Sequence, residues 1–206
     1  MLKVWGRISS INVQKVVWCL DEIGLAYERV DVGGPFGVVD TPEYRAMNPN
    51  GLIPTLDEDG FVLWESNAIV RYLAAKHPQA GLWPGDLRVR ADADRWMDWQ
   101  GTSGSPAMRH AFWGLVRTSP DKRDEQVIRH SIGESEALMA ILDDALADRP
   151  FIAGESFTAG DIAVGCLAHR WLNLPIERQS RPRVEAWYER MKLRPGARQV
   201  LSLPLT

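Results

Sequence analysis

The stretch NPNGLIPTLDEDGFVLWESNAIVRYL, from Asn48 to Leu73, decides the fold. It divides into three pieces. Leu52-Ile53-Pro54 reads as a turn entering a strand, where a proline cannot donate to the ladder. Pro54-Thr55-Leu56 and Phe61-Val62-Leu63 are short strand runs around Asp57 to Gly60, the pattern of a tight hairpin. Ser66 then opens a helix whose apolar stripe is Ala68, Ile69, Tyr72 and Leu73.

Working upstream, Leu2 and Val4 mark a strand, LKVWG, and Arg7 to Ile11 a loop. Asn12 is the predicted N-cap of the next helix. Val13, Val16, Val17 and Leu20 follow at i, i+3, i+4, i+7, and Gly24 is the expected C-cap. AYERVDV reads as a second strand through Tyr27, Val30 and Val32. Strand, helix, strand in this order predicts a right-handed parallel crossover. Gly33 to Pro42 is a loop by its Gly and Pro content, and Glu43 to Met47 one helical turn. The whole reads βαβ then ββα, a small mixed sheet with helices packed on it. Residues 1–77 are therefore predicted as an α/β unit and 78–87, with Pro78, Gly81, Pro84 and Gly85, as a linker.

Downstream, over 88–206, strand signals disappear and an all-α unit is expected. Val89 to Gln100 is helical. Gly101 to Pro106, GTSGSP, is predicted to interrupt or kink it. Ala107 to Val116 resumes the pattern with Met108, Ala111, Phe112 and Leu115. Lys122 to Ala147 is a long helix, and Arg183 to Leu193 and Ala197 to Leu201 close the chain. Phe157-Thr158-Ala159-Gly160-Asp161-Ile162 reads as a capping box with a hydrophobic staple, so Asp161 is expected to be structural rather than a catalytic acid.

Composition excludes several classes. Of 206 residues, 45% are hydrophobic and 25% charged, ordinary for a globular chain. A net charge of −3 leaves no basic footprint for nucleic acid. No apolar run approaches the roughly 20 residues that span a bilayer, and MLKVWGRISS has no secretory pattern. A cytoplasmic location is expected. Cys19 and Cys166 form no C-x-x-C or Cys/His cluster, so neither a metal site nor a dithiol motif is expected. The nine tryptophans are expected mostly in the core.

Two features of the opening stretch suit ligand chemistry. A cis Ile53–Pro54 bond would turn the Ile53 N–H and C=O outward, free to pair with an extended peptide. Ser66 stands where helix amides are unpaired, so its hydroxyl, those amides and the helix dipole suit a carboxylate. Glu65 beside it can accept from an ammonium. Taken singly, Pro54 is equally an ordinary turn proline and Ser66 an ordinary cap.

Taken together, NPNGLIP, the hairpin, WESNAI-x-x-YL and the F-T-A-x-D-I box resemble the glutathione S-transferase superfamily over nearly the whole chain. The resemblance implies a thioredoxin-like N-terminal domain followed by an all-helical C-terminal domain, with glutathione as co-substrate and no metal. It implies that Ile53, ahead of a cis Pro54, pairs through its backbone with the cysteinyl part, while Glu65 and Ser66 hold the γ-glutamyl head. The loop Gly6 to Asn12 has no tyrosine or cysteine, so the serine-using, theta- or delta-like type fits. Ser10 falls on the family serine, Ser9 is second, and Asn12 lies where the helix begins. A thiol of pKa about 8.5 is mostly protonated at neutral pH, and lowering it two units takes about 2.7 kcal/mol. A donated hydrogen bond and a helix N-terminus both act in that sense. Where many relatives carry a basic residue for the glycyl carboxylate, this chain has Gly51 and Leu52; Asn50, backbone groups or an Arg from elsewhere are the expected substitutes. A hydrophobic electrophile is expected against Trp96, Gln100, Met108, Arg109, Phe112 and Trp113, with Arg109 able to orient an anionic one. Members are commonly homodimers, here through the helices from Ser66 and Val89. Peroxidase, dehalogenase or isomerase chemistry, or a non-catalytic binding role, remain open on this scaffold.

Overall fold

The structure, a computed structural model, describes residues 1–206. The N-terminal half runs β1 (Leu2–Trp5), α1 (Ile11–Ile23), β2 (Glu28–Val30), α2 (Pro42–Met47), β3 (Thr55–Glu58), β4 (Phe61–Trp64) and α3 (Ser66–Lys76). The sheet order is β2-β1-β3-β4, with β1 parallel to β2 and β3 antiparallel to both β1 and β4. Val4 sits opposite Leu56 across β1 and β3, both fully buried. The hairpin closes through Asp59 and Gly60, both at positive φ (51° and 91°), a two-residue turn that matches strand twist.

Two local expectations are corrected. The first helix starts two residues earlier than predicted: Ser10, not Asn12, is the N-cap, in extended conformation (φ −85°, ψ 123°). Ile11 is drawn into the core, Asn12 is exposed, and the Gln14 amide closes the first turn onto the Ser10 carbonyl at 2.9 Å. The second strand spans only Glu28–Val30, because β1 offers partners no further than Trp5. Gly24 ends α1 as predicted, in the left-handed conformation (φ 79°).

The remainder is helical: α4 (Leu87–Trp99), α5 (Ser105–Phe112), α6 (Glu125–Ala145), α7 (Ala159–Leu172), α8 (Pro182–Lys192) and α9 (Arg198–Leu201). GTSGSP interrupts the α-helix, as predicted, but by a change of helix type rather than a loop. Residues 100–104 form a wide π turn that carries α4 into α5, and 113–117 form another. The glycine at 104 serves close packing instead, since a Cβ there would overlap Leu167 of α7. α6 begins later than predicted, at Glu125, where Asp124 caps the amides of Gln126 and Val127, each at 3.0 Å.

α7 is buried along almost its whole length. The Asp161 carboxylate that starts it is fully buried and accepts from the amides of Ile152 and Thr158 and from Trp187 Nε1, each at 2.9 Å, and from the Thr158 hydroxyl at 3.1 Å. With every lone pair engaged, it is structural, as expected. One cluster of 42 buried hydrophobic residues runs from Val4 to Leu201, so the two halves share a core. α1 is the seam: Trp18 packs onto Gly165 of α7, and Glu22 is held by Arg194 through Nε (3.0 Å) and Nη2 (2.8 Å). Trp18, Trp96, Trp171 and Trp187 lie in the core, whereas Trp64 and Trp113 are exposed. No helix is long and apolar enough to cross a membrane.

Candidate functional site

The segment after α2 is bent by side chains that bond its backbone. Asn48 is buried; its Nδ2 donates to the Leu52 carbonyl (2.9 Å) and Thr55 Oγ1 (3.2 Å), and its Oδ1 accepts from the Asn50 amide (3.1 Å). The Tyr44 hydroxyl donates to the same Leu52 carbonyl at 2.8 Å and meets Thr55 Oγ1 at 3.0 Å. The Ile53–Pro54 bond is cis. The Ile53 side chain tucks against Gly6 and Gly33, where added Cβ atoms would lie 3.3 and 3.2 Å from it. Its backbone N–H and C=O pair with nothing in the chain.

Glu65 follows β4 at φ 70°, a left-handed conformation that costs a non-glycine residue on the order of 1 kcal/mol. Its side chain caps nothing, so the first-turn amides of α3 stay open beside the buried Ser66. A small cleft of about 60 Å³ gathers these parts: Ile53, Pro54, Glu65 and Ser66, with Asn12 and Asn50 at its sides. Asn48 and Leu52 also line it and were missed from sequence; an Asn two residues before Asn50-Gly51 was the available signal, because Asn side chains bond their own turn.

Ser9 and Ser10 stand next to this cleft at the start of α1 but do not line it. The Ser9 hydroxyl oxygen accepts from Arg7 Nη1 at 2.8 Å, while the Ser10 hydroxyl makes no cap bond. Of the three residues expected around the thiol, Asn12 is therefore the one inside the cleft. A cation also sits close to the Gly51 bend. A Cβ on Gly51 would lie 3.0 Å from Arg45 Nη2, and Arg45 is anchored by Asp40 (2.7 Å) and the Pro49 carbonyl (3.1 Å).

The expected wall for a second substrate is mostly core. Gln100, Met108 and Phe112 are buried; Trp96 is buried but for one edge, which lines an apolar hollow with Trp99 and Ile141; Arg109 and Trp113 are exposed. The apolar stripe that identified these helices is the stripe that packs inward. Arg170 lies 3.6 Å from the Phe112 ring centre, and Arg117 lies 4.8 Å from both the Phe112 and Trp113 rings. Burial lowers the pKa of both arginines, Arg170 to about 10, and the charge of Arg7 adds to the effect. Arg7 thus bonds Ser9, and Arg117, close enough to feel the Arg7 charge, lies over Trp113.

Other reactive groups are occupied. Cys19 and Cys166 are buried and unpaired; burial pushes both thiols up, Cys166 to about 12, so neither is a nucleophile near neutrality. His169 is buried between the Tyr188 hydroxyl (2.7 Å) and the Leu203 carbonyl (2.9 Å). No three His, Cys, Asp or Glu side chains are grouped to hold a metal ion.

Known proteins match both halves of the chain. Residues 1–75 match the model of the glutathione S-transferase N-terminal domain, and residues 125–190 that of the C-terminal domain. The chain is 42% identical over 208 residues to glutathione S-transferase GstB of Escherichia coli, covering all of both chains. It is 32% identical to human glutathione S-transferase theta-2 over 75% of its length and 66% of that protein. A theta class glutathione S-transferase from Xanthomonas axonopodis pv. citri, solved with glutathione bound, superposes with a TM-score of 0.96 at 45% identity, covering 100% of this chain and 99% of that one.

Proposed function

This chain belongs to the glutathione S-transferase family, and on that premise we propose that it binds glutathione, stabilises its thiolate and directs it at an electrophilic carbon of a hydrophobic compound. One observation carries the reading: the unpaired backbone of Ile53 and the uncapped N-terminus of α3 share one cleft. The cysteinyl residue pairs with Ile53 as an added strand would. The γ-glutamyl carboxylate takes the Ser66 amide and hydroxyl, and Glu65 accepts from the ammonium. Arg45, with Asn50, serves the glycyl end.

Ser10 donates to the sulfur. Its hydroxyl is uncommitted and stands at the positive end of α1, so it favours the thiolate without forming a covalent bond. Asn12 is a second candidate donor, favoured by its place inside the cleft. The electrophile lies on the side of Trp113, an exposed aromatic stacked under Arg117, whose charge interacts with Arg7 of the serine loop. A second copy is expected across α3 and α4, which Arg71 already ties together through Asp94 and Asp98; equilibrium sedimentation of the chain tests this.

The test is a pair of variants with an aryl halide acceptor. Ser10→Ala is expected to lower turnover about tenfold, roughly one neutral hydrogen bond, with glutathione affinity retained. Unchanged turnover in Ser10→Ala with a loss in Asn12→Ala transfers the role to Asn12. Turnover unchanged in both rejects thiolate activation from this helix.

A further inference from the structure

Lys15 is a buried cation without a buried anion. It lies on α1, is 2% exposed, and its ammonium donates to Asn67 Oδ1 and Gln100 Oε1, each at 2.9 Å. Neither partner is charged. Both amides are locked with their oxygens toward it: Asn67 Nδ2 donates to the Met97 carbonyl (2.7 Å) and Gln100 Nε2 to Ser105 Oγ (2.6 Å). Holding an ammonium out of water against neutral oxygens is unfavourable, and burial lowers its pKa to about 8.

The charged and titratable groups around it do not supply the missing anion. α7 contributes Cys166 and Arg170, and α3 with its preceding residue contributes Arg71 and Glu65. Cys166 is neutral, its thiol pushed up to about 12. The two arginines repel the ammonium, and Arg71 is engaged by Asp94 and Asp98. Glu65 alone is negative, and it is exposed to water. Asn67, the residue Lys15 holds, directly follows Ser66 in the open first turn of α3.

We infer that Lys15 is a positioning residue of the glutathione site, its buried ammonium acting through Asn67 on the first turn of α3 as counter-charge to the γ-glutamyl carboxylate. This rests on the glutathione reading above. The Gln100 arm fixes the ammonium from the side of the π turn, so the charge stays under α3. A carboxylate bound at Ser66 stabilises the charged lysine, so binding raises its proton affinity. In the free protein Lys15 loses its proton near pH 8; the complex retains it. Affinity therefore falls as pH rises through about 8, with proton uptake on binding.

Calorimetry with S-methylglutathione, which has no titrating thiol, in buffers of different ionisation enthalpy tests this. The unaltered protein is expected to lose about tenfold in affinity between about pH 7 and about pH 9 and to take up a proton there; Lys15→Met is expected to bind about tenfold more weakly at about pH 7, without that step. Lys15→Arg, permanently charged, keeps the affinity and lacks the step. The ligand's own amine titrates alike in all three and cancels in the comparison. Lys15→Met that binds as the unaltered protein does, or binds weakly but keeps the pH step, overturns the inference. If Lys15→Met does not fold, the unaltered protein decides: affinity that does not fall, and no proton uptake, overturns it. No binding by the unaltered protein overturns the glutathione reading and this inference together.

Discussion

The cleft between Asn48 and Ser66 and the helical wall from Trp96 to Trp113 are built from different kinds of groups. In the cleft, the working parts are backbone groups: the Ile53 amide and carbonyl and the first-turn amides of α3. Proline, glycine and capping residues fix such groups locally, so a short stretch of sequence carries them. In the wall, the working parts would be side chains, and which ones face outward depends on how each helix is rotated. Two π turns, at 100–104 and 113–117, interrupt that rotation. Each residue added to a 3.6-residue helix turns the following face by about 100°. A periodic pattern read across them therefore marks what is buried, and it marks nothing about what a second substrate meets.

The sharpest way to break this contrast is Phe112→Ala. As a core residue beneath two arginines, it should cost about 3–5 kcal/mol of stability in urea unfolding, with glutathione affinity unchanged. A stable variant with a raised KM for the electrophile would return Phe112 to the wall. Lys15 bonds both regions, to Asn67 and to Gln100. Its pKa falls from 10.5 in the unfolded chain to about 8 in the fold. Between those values the unfolded chain binds the proton more tightly, so stability relative to Lys15→Met should rise with pH, by up to about 3 kcal/mol. Urea midpoints of both proteins across that range measure it, and a flat difference contradicts burial of the charge.

Glu65→Ala should weaken glutathione binding by about 1.5–3 kcal/mol in a titration while leaving stability nearly unchanged. Arg109→Ala should move stability and kcat/KM by no more than about 0.5 kcal/mol, since that side chain is solvated.

Much of the fold was legible. The parallel β1–β2 crossover, a hairpin turn within Asp57 to Gly60 (narrowed to Asp59-Gly60, since β3 runs on to Glu58), the Gly24 stop and the Asp161 box each follow from local chemistry, and the structure keeps them. What failed depended on distant neighbours. GTSGSP interrupted the α-helix as a π turn rather than a loop, and Gly104 packs on Leu167 of α7, which no local rule reports. Asn12 lost the cap to Ser10 because Ile11 is claimed by the core. Within the site, Ile53, Pro54, Glu65 and Ser66 were expected and are gathered, whereas Asn48 and Arg45 were missed because their roles appear only once the bend exists.

The central claim is that glutathione is held by backbone left unpaired for it. Hydrogen exchange at the Ile53 amide, followed by NMR with and without saturating glutathione, tests that most directly. The free amide has no partner and should exchange rapidly; bound glutathione should slow it by at least about tenfold, as one new hydrogen bond would. Exchange at Ile53 that glutathione leaves unchanged, while it binds, would contradict the account.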